Sequence, residues 1–561
     1  MFDFYGVNIA EKREALKRSE VFRRYMDEII SAADEAVEKC VPALKMTEYS
    51  MFCENGNRRV FEKPYFERRN NCNAIMEAYW LTGNEKYLKP LVDYINYICD
   101  EFTWCLPAHC DIINMATGEL VEHVDLFQAE TARLFGEIKM CVGSKLPIYT
   151  LNRMEYEVRR RIFASFEKGK EYHWESCKMN WATVCGAGCT VAALSFGTDE
   201  EKEKYTARFR GCLDSYLEGI NDDGCCQEGM SYWSYGFVHF IILALCIKNY
   251  SNGKIDYFSI GKTRSIALFM QKIRMCESKV VSISDGSEKF GFKVGQVSFL
   301  KKLYPELELP DLKYGHLRGN VNSVFELLWF DENYEGSALK EGMSYFDQTQ
   351  WYINRKGHYS FAAKGGYNDE PHNHNDIGSF MITSGEDTLI SDLGCGEYVK
   401  ETFLEETRYG FVQNCSRGHS VPVVNGKYQK PGANYRAQNV KASDNTFELE
   451  IAGAYEEGII NSIKRSFTLT ESSVILKDVF EYSPQTESVK ERFISKIKPE
   501  LSAEGVRIGK ALIRYDSSEY EVSISTEIYT AHNAVDIITV YMTDFLPVSP
   551  DKRIFEFEIE I

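Results

Sequence analysis

Through the first three-fifths of the chain, apolar residues recur every three or four positions. They do so over 11–39, 71–100, 122–142, 152–168, 180–197, 200–219, 232–249 and 262–277, which is the spacing of helices that bury a face. Thr82-Gly83-Asn84, Asn221-Asp222-Asp223-Gly224 and Ser251-Asn252-Gly253 interrupt the pattern as turns. Short breakers predict antiparallel helix pairs, an arrangement common to rings, bundles and solenoids. Beyond about residue 345 the period falls to two. Phe555-Glu556-Phe557-Glu558-Ile559-Glu560-Ile561 and Phe447-Glu448-Leu449-Glu450-Ile451 alternate strictly, as do parts of 378–394 and 520–545. This predicts an antiparallel β-sandwich with one wet face per sheet. The pattern breaks within 331–345, so the expected domains are 1–340, all helical, and 341–561, all strand: an α+β multidomain chain.

At 561 residues the chain exceeds the roughly 250–300 at which one core stops growing. With 44% hydrophobic and 26% charged residues it has the composition of a globular protein. A formal charge of −18 without a basic tract argues against nucleic acid or an anionic membrane as partner. No run of about 18 apolar residues signals a membrane span. An anionic ligand would need a locally positive site, for which the pairs Arg58–Arg59 and Arg68–Arg69 are candidates beside their ordinary role as a solvated face. The 17 cysteines are scattered, many in apolar helix-like settings such as Cys185, Cys189 and Cys246, and none forms a C-x-x-C pair. No apolar leader follows Met1. The expectation is reduced thiols and a cytoplasmic location.

Four stretches concentrate polar groups where core residues would be expected. The densest runs from Gly365-Gly366 to Pro371-His372-Asn373-His374-Asn375-Asp376-Ile377-Gly378-Ser379-Phe380, with Ser391-Asp392-Leu393-Gly394 and Gly418-His419 downstream. His and Asp suit Zn²⁺, but the intervals from His374 to Asp392 and on to His419 match no compact motif, and a satisfied His–Asp cluster remains an alternative. The others are Asn180-Trp181, opening a helix rich in small residues; Asp223-Gly224 through Glu228-Gly229 to Tyr232-Trp233-Ser234-Tyr235-Gly236; and the turn Ser284-Asp285-Gly286-Ser287. On a helix starting near Ser231, Tyr232, Tyr235 and His239 share a face.

In this order the motifs resemble the heparinase II/III-like polysaccharide lyases, a group that includes the oligo-alginate lyases, and Asn425-Gly426-Lys427-Tyr428-Gln429 continues the likeness. The resemblance covers nearly the whole chain. It implies an incomplete (α/α) toroid followed by an antiparallel β-sandwich, with the active cleft between them. It also implies β-elimination at a 4-linked uronate. Asn180 would bind the carboxylate, and Tyr235 would be the general acid, with Tyr232 one turn away as fallback. His372 would neutralise the carboxylate or act as base. His374, Asp392 and His419 match the family's structural zinc ligands, and no organic cofactor is expected. Glu228, Trp181 and Arg69 are further candidates for substrate contact. The partner would be an anionic, uronate-containing oligosaccharide, of glycosaminoglycan type or, alternatively, alginate. Homo-oligomers are left open. A glycoside hydrolase using Glu228 and Asp223, or a non-catalytic glycan-binding protein, are the competing classes.

Overall fold

A computed structural model describes residues 4–289, 291–317 and 324–561. The first half is helical. The four inner helices are Arg59–Thr82, Leu126–Val142, Asn180–Phe196 and Met230–Tyr250, and each is buried over most of its surface. Arg23–Glu38, Leu88–Cys99, Ile148–Val158 and Asp199–Gly219 lie outside them and bury fewer residues. Local chemistry sets the ends. Gly83, at φ 67°, terminates Arg59–Thr82 in a left-handed cap. Asp125 caps Leu126–Val142 through the Gln128 N–H at 2.7 Å, and Thr198 with Glu201 forms a capping box on Asp199–Gly219. Two inner helices cross closely because glycine allows it: a Cβ at Gly188 would stand 2.3 Å from the Ala129 carbonyl oxygen. Met230–Tyr250 is apolar and long enough to cross a membrane by composition alone, but most of it lies inside this core.

Several boundaries depart from the periodicity. The segment 11–39 divides into Ile9–Arg18 and Arg23–Glu38, because the backbone turns extended at Ser19, whose hydroxyl accepts the Phe22 N–H within the connecting turn. The segment 71–100 divides at Gly83, and its first helix reaches back to Arg59. Val294–Leu303 and Val324–Trp329 are helices that the pattern did not indicate.

The first strand is Gly342–Phe346, and strands dominate from there to the end. A five-stranded antiparallel sheet (Gly342–Phe346, Trp351–Lys356, Tyr359–Lys364, Phe380–Ser384, Asp387–Ile390) joins the two halves. It corrects the expectation of one wet face per sheet. Phe346, Trp351, Ile353, Ala362 and Met381 pack into the helical core, while Tyr352, Phe361, Ala363, Phe380 and Ile382 pack into the sandwich core. Lying between two hydrophobic layers, the central strands Tyr359–Lys364 and Phe380–Ser384 are buried at every position and carry no polar alternation. The eight-stranded sheet keeps it: along Ile554–Glu560 the side chains of Phe555, Phe557 and Ile559 are buried and those between them are exposed.

Candidate active site

The sheet of the seam holds the chemistry at one end. Between Tyr359–Lys364 and Phe380–Ser384, which pair in register, the chain makes the excursion 365–379 that carries His372, His374 and Asp376. Facing it are the start of helix Met230–Tyr250, the turn 284–287 and the loop 392–396. Three glycines bring these backbones together. A Cβ at Gly394 would lie 2.3 Å from the Gly286 carbonyl oxygen, and one at Gly229 would lie 3.0 Å from Gly286 Cα. Gly394 and Gly229 also take positive φ, 61° and 92°. The Glu-Gly, Asp-Gly-Ser and Asp-x-Gly motifs are therefore one packing device: each sets a polar residue beside a glycine that permits contact.

Asp285 is the hub. Its Oδ2 lies 2.6 Å from His372 Nδ1, 2.9 Å from the Tyr398 hydroxyl and 3.3 Å from Arg408, and its Oδ1 lies 3.2 Å from His374 Nε2. Burial alone would raise this carboxyl. The histidine hydrogen bonds and the Arg408 charge reverse that and hold it well below the usual range. An ionised carboxylate only accepts, so His372 Nδ1 carries the proton of that hydrogen bond, and in the neutral ring Nε2 is the atom left to accept. His372 has φ 56°, an uncommon conformation for a non-glycine residue and one associated with functional sites.

Of the two tyrosines, Tyr232 is the one that meets His372. Their ring centroids are 4.4 Å apart, and the Tyr232 hydroxyl is 2.8 Å from that of Tyr398. Tyr235, one turn on, donates its hydroxyl to Glu130 at 2.7 Å and packs against His239 inside the helical half. Burial and the neighbouring Glu130 raise its pKa well above the ordinary value. Asn180 lines a recess with Lys178, Tyr216, Glu228, Tyr232 and Pro371. Gly236 explains how it fits there, since a Cβ at that position would stand 3.0 Å from Asn180 Cβ. Burial raises the Glu228 carboxyl, with Asp285 adding to it. Trp181 is half-buried, 4.9 Å from the His109 ring and 5.5 Å from that of His173.

Arg69 is placed differently from the expectation. It is 1% exposed, pairs with Glu101 at 2.8 Å and lies over the Tyr65 ring, so it braces the core and does not face the recess. Arg68 shares Glu101, Arg58 pairs with Glu62, and Arg59 bridges to Glu397 of the sandwich. None of the four is a free cation for a ligand. Arg408 and Tyr398 were missed because no local pattern marks them. Asp285 was visible as part of a motif, but only as a turn.

Behind Asp285, ligand atoms of Asp376, Asp392 and His419 lie within 4.8 Å of one another, all buried. His419 Nε2 is fixed on the Gln413 carbonyl oxygen at 3.0 Å, and its ring is 5.4 Å from that of His374. Two buried polar atoms here have no hydrogen-bond partner, His374 Nδ1 and Asp376 Oδ2, and His419 Nδ1 faces Asp392 Oδ2 at 3.2 Å. In His374, Nε2 is hydrogen-bonded to Asp285 and Nδ1 is left over, the arrangement of metal-binding histidines whose ring is oriented by its other nitrogen. Asp376, Asp392 and His419 fit a divalent cation; the group contains two of the three residues nominated from sequence and adds Asp376, while His374 stands outside it with its Nε2 on Asp285.

Residues 338–535 match the sequence profile of the family described as heparinase II/III-like, C-terminal. No curated protein sequence matches the chain. Among solved structures it is similar to heparinase III (14% identity, 100% of this chain and 86% of that one, TM-score 0.66). It is also similar to the heparan sulfate lyase HepC of Pedobacter heparinus (13%, 98% and 87%, 0.60), and to the Streptomyces coelicolor A3 chondroitin AC lyase in complex with chondroitin sulphate (8%, 98% and 82%, 0.56). At these identities the likeness establishes the fold, an incomplete (α/α) toroid followed by an antiparallel β-sandwich.

Proposed function

We propose that this chain, whose residues 338–535 form a heparinase II/III-like C-terminal domain, is a polysaccharide lyase that cleaves a 4-linked uronate glycan by β-elimination. The observation that carries the reading is the meeting of Tyr232 and His372 at the seam of the two halves, with His372 Nδ1 pinned to Asp285. The C5 proton of a uronate is weakly acidic until the adjacent carboxylate is bound. Asn180 makes no side-chain hydrogen bond among the described residues, and it borders the recess beside Tyr232. Its amide, with Lys178 beside it, is the group to bind that carboxylate and stabilise the enolate-like charge, a donor role worth about 3–4 kcal/mol. His372 Nε2 takes the C5 proton. Tyr232 protonates the departing O4, and positioned proton transfer contributes roughly 10²–10⁴-fold.

His374, Asp392 and His419, joined by Asp376, would hold zinc. The ion would tie the loops around 374, 392 and 419 together and so fix His372 from behind. The substrate class is an anionic uronate oligosaccharide of glycosaminoglycan type, short and unsulfated or lightly sulfated if the enzyme works in the cytoplasm. Fractionation that finds the protein outside the cell would remove that last restriction.

The test is turnover of hyaluronan, chondroitin, heparan and alginate oligomers, followed by ultraviolet absorbance of the new C4=C5 bond. Tyr232→Phe and His372→Ala should abolish it. Tyr235→Phe should retain most of it, and the reverse order of effects would reject Tyr232 as the acid.

A further inference from the structure

Tyr398 belongs to no motif, yet it sits between the two groups assigned to proton transfer. Its hydroxyl is 2.8 Å from that of Tyr232, 2.9 Å from Asp285 Oδ2 and 3.5 Å from His372 Nδ1. Hydrogen counting orders this chain. Asp285 only accepts, so Tyr398 donates its one hydrogen there, and its oxygen is left to accept the Tyr232 hydrogen.

Resting on the lyase reading above, we propose that Tyr398 is a positioning residue for elimination. Its hydroxyl hydrogen turns from Asp285 to the Tyr232 oxygen as that oxygen becomes a phenolate. The turn is short, because the two acceptors are almost equidistant. It also leaves nothing buried without a partner, since Asp285 keeps His372, His374 and Arg408. Other groups facing Tyr232 offer no such help. The Asp285 and Glu228 carboxyls oppose a negative charge there, the Cys395 thiol is spent on the Gly396 carbonyl and His532, and the His372 ring lies against the tyrosine ring rather than its oxygen. In the step itself, the C5 proton passes to His372 Nε2 and its electron pair forms C4=C5. The C4–O4 bond breaks, and O4 takes the Tyr232 proton. Solvent then reprotonates Tyr232 and deprotonates His372.

The experiment uses Tyr398→Phe on two substrates, an O4-linked uronate oligosaccharide and a uronate bearing fluoride at C4, which leaves without protonation. The phenyl ring keeps its contacts with Phe403 and His532. We expect kcat on the O4-linked substrate to fall roughly 10- to 100-fold with KM within about twofold, and the loss on the fluoride to be under about threefold. The ratio of the two losses belongs to one preparation, so a reduced folded fraction cancels. Equal losses on both substrates, or no loss on either, would overturn the proposal. Full activity of Tyr232→Phe on the O4-linked substrate would instead overturn the lyase assignment of the acid.

Discussion

Replacing Asp285 by asparagine preserves shape and volume but removes the charge that organises the seam. Four donors converge on this carboxylate, from His372, His374, Tyr398 and Arg408. An amide turns one accepting oxygen into a donor. If its nitrogen faces His372, Nδ1 must accept, the imidazole proton moves to Nε2, and the base is blocked. Loss of such an orienting carboxylate costs on the order of 10⁴ in kcat, or about 5 kcal/mol at 1.36 kcal/mol per decade. Arg408 would retain the carbonyls of Asn373 and Thr402, so the added loss of stability should stay at about 1–3 kcal/mol. Initial rates from the ultraviolet signal, paired with urea unfolding followed by tryptophan fluorescence, separate the two effects. Asp285→Asn turning over at close to the wild-type rate, while His372→Ala is dead, would refute the idea that Asp285 sets the tautomer of the base.

Three further outcomes are expected. The purified chain should carry about one divalent cation. His419→Ala should cost about 3–5 kcal/mol by leaving the buried Asp392 without its partner, and chelation should lower the melting temperature of the wild type, as read from melting with and without zinc; metal-free protein with an unchanged melt would contradict this. Glu288 joins the helical half to the sandwich through Lys279, Thr388 and Lys496. Burial opposes its charge, but the two lysines and the threonine hydroxyl hold its carboxyl down at about 2 from an ordinary 4.5. A depressed carboxyl contributes stability above its unfolded pKa, here about 3 kcal/mol, and that is lost as pH falls from about 4.5 toward 2; urea midpoints of Glu288→Gln and wild type should converge across that window. Arg69→Ala should cost about 3–5 kcal/mol in unfolding, because Glu101 loses one of two buried partners, with KM unchanged. A raised KM at full stability would place Arg69 on the substrate instead.

The α-then-β division was legible because periodicity reports which faces are buried, and helices such as Asn180–Phe196 and strands such as Ile554–Glu560 declare their faces locally. The two-sided burial of Trp351–Lys356 was not, since it depends on what lies above and below the sheet. At the site, the residues next to glycines stood out: Glu228, Asp285 and Asp392 each adjoin a turn whose shape shows in the letters. What joins them did not. Tyr232 and Tyr235 occupy the same helix one turn apart, and the choice between them is made by Glu130, which claims the second hydroxyl from a helix some hundred residues earlier. Tyr398 and Arg408 reach Asp285 from the loop after residue 394, where spacing carries no sign of partners over a hundred residues away.

The most direct measurement is the mass of the products released from a defined uronate oligosaccharide. Elimination predicts two fragments whose masses sum to that of the substrate, one ending in a 4,5-unsaturated uronate. Fragments that together exceed the substrate by one water would mean hydrolysis, and the pairing of Tyr232 with His372 would then need another explanation.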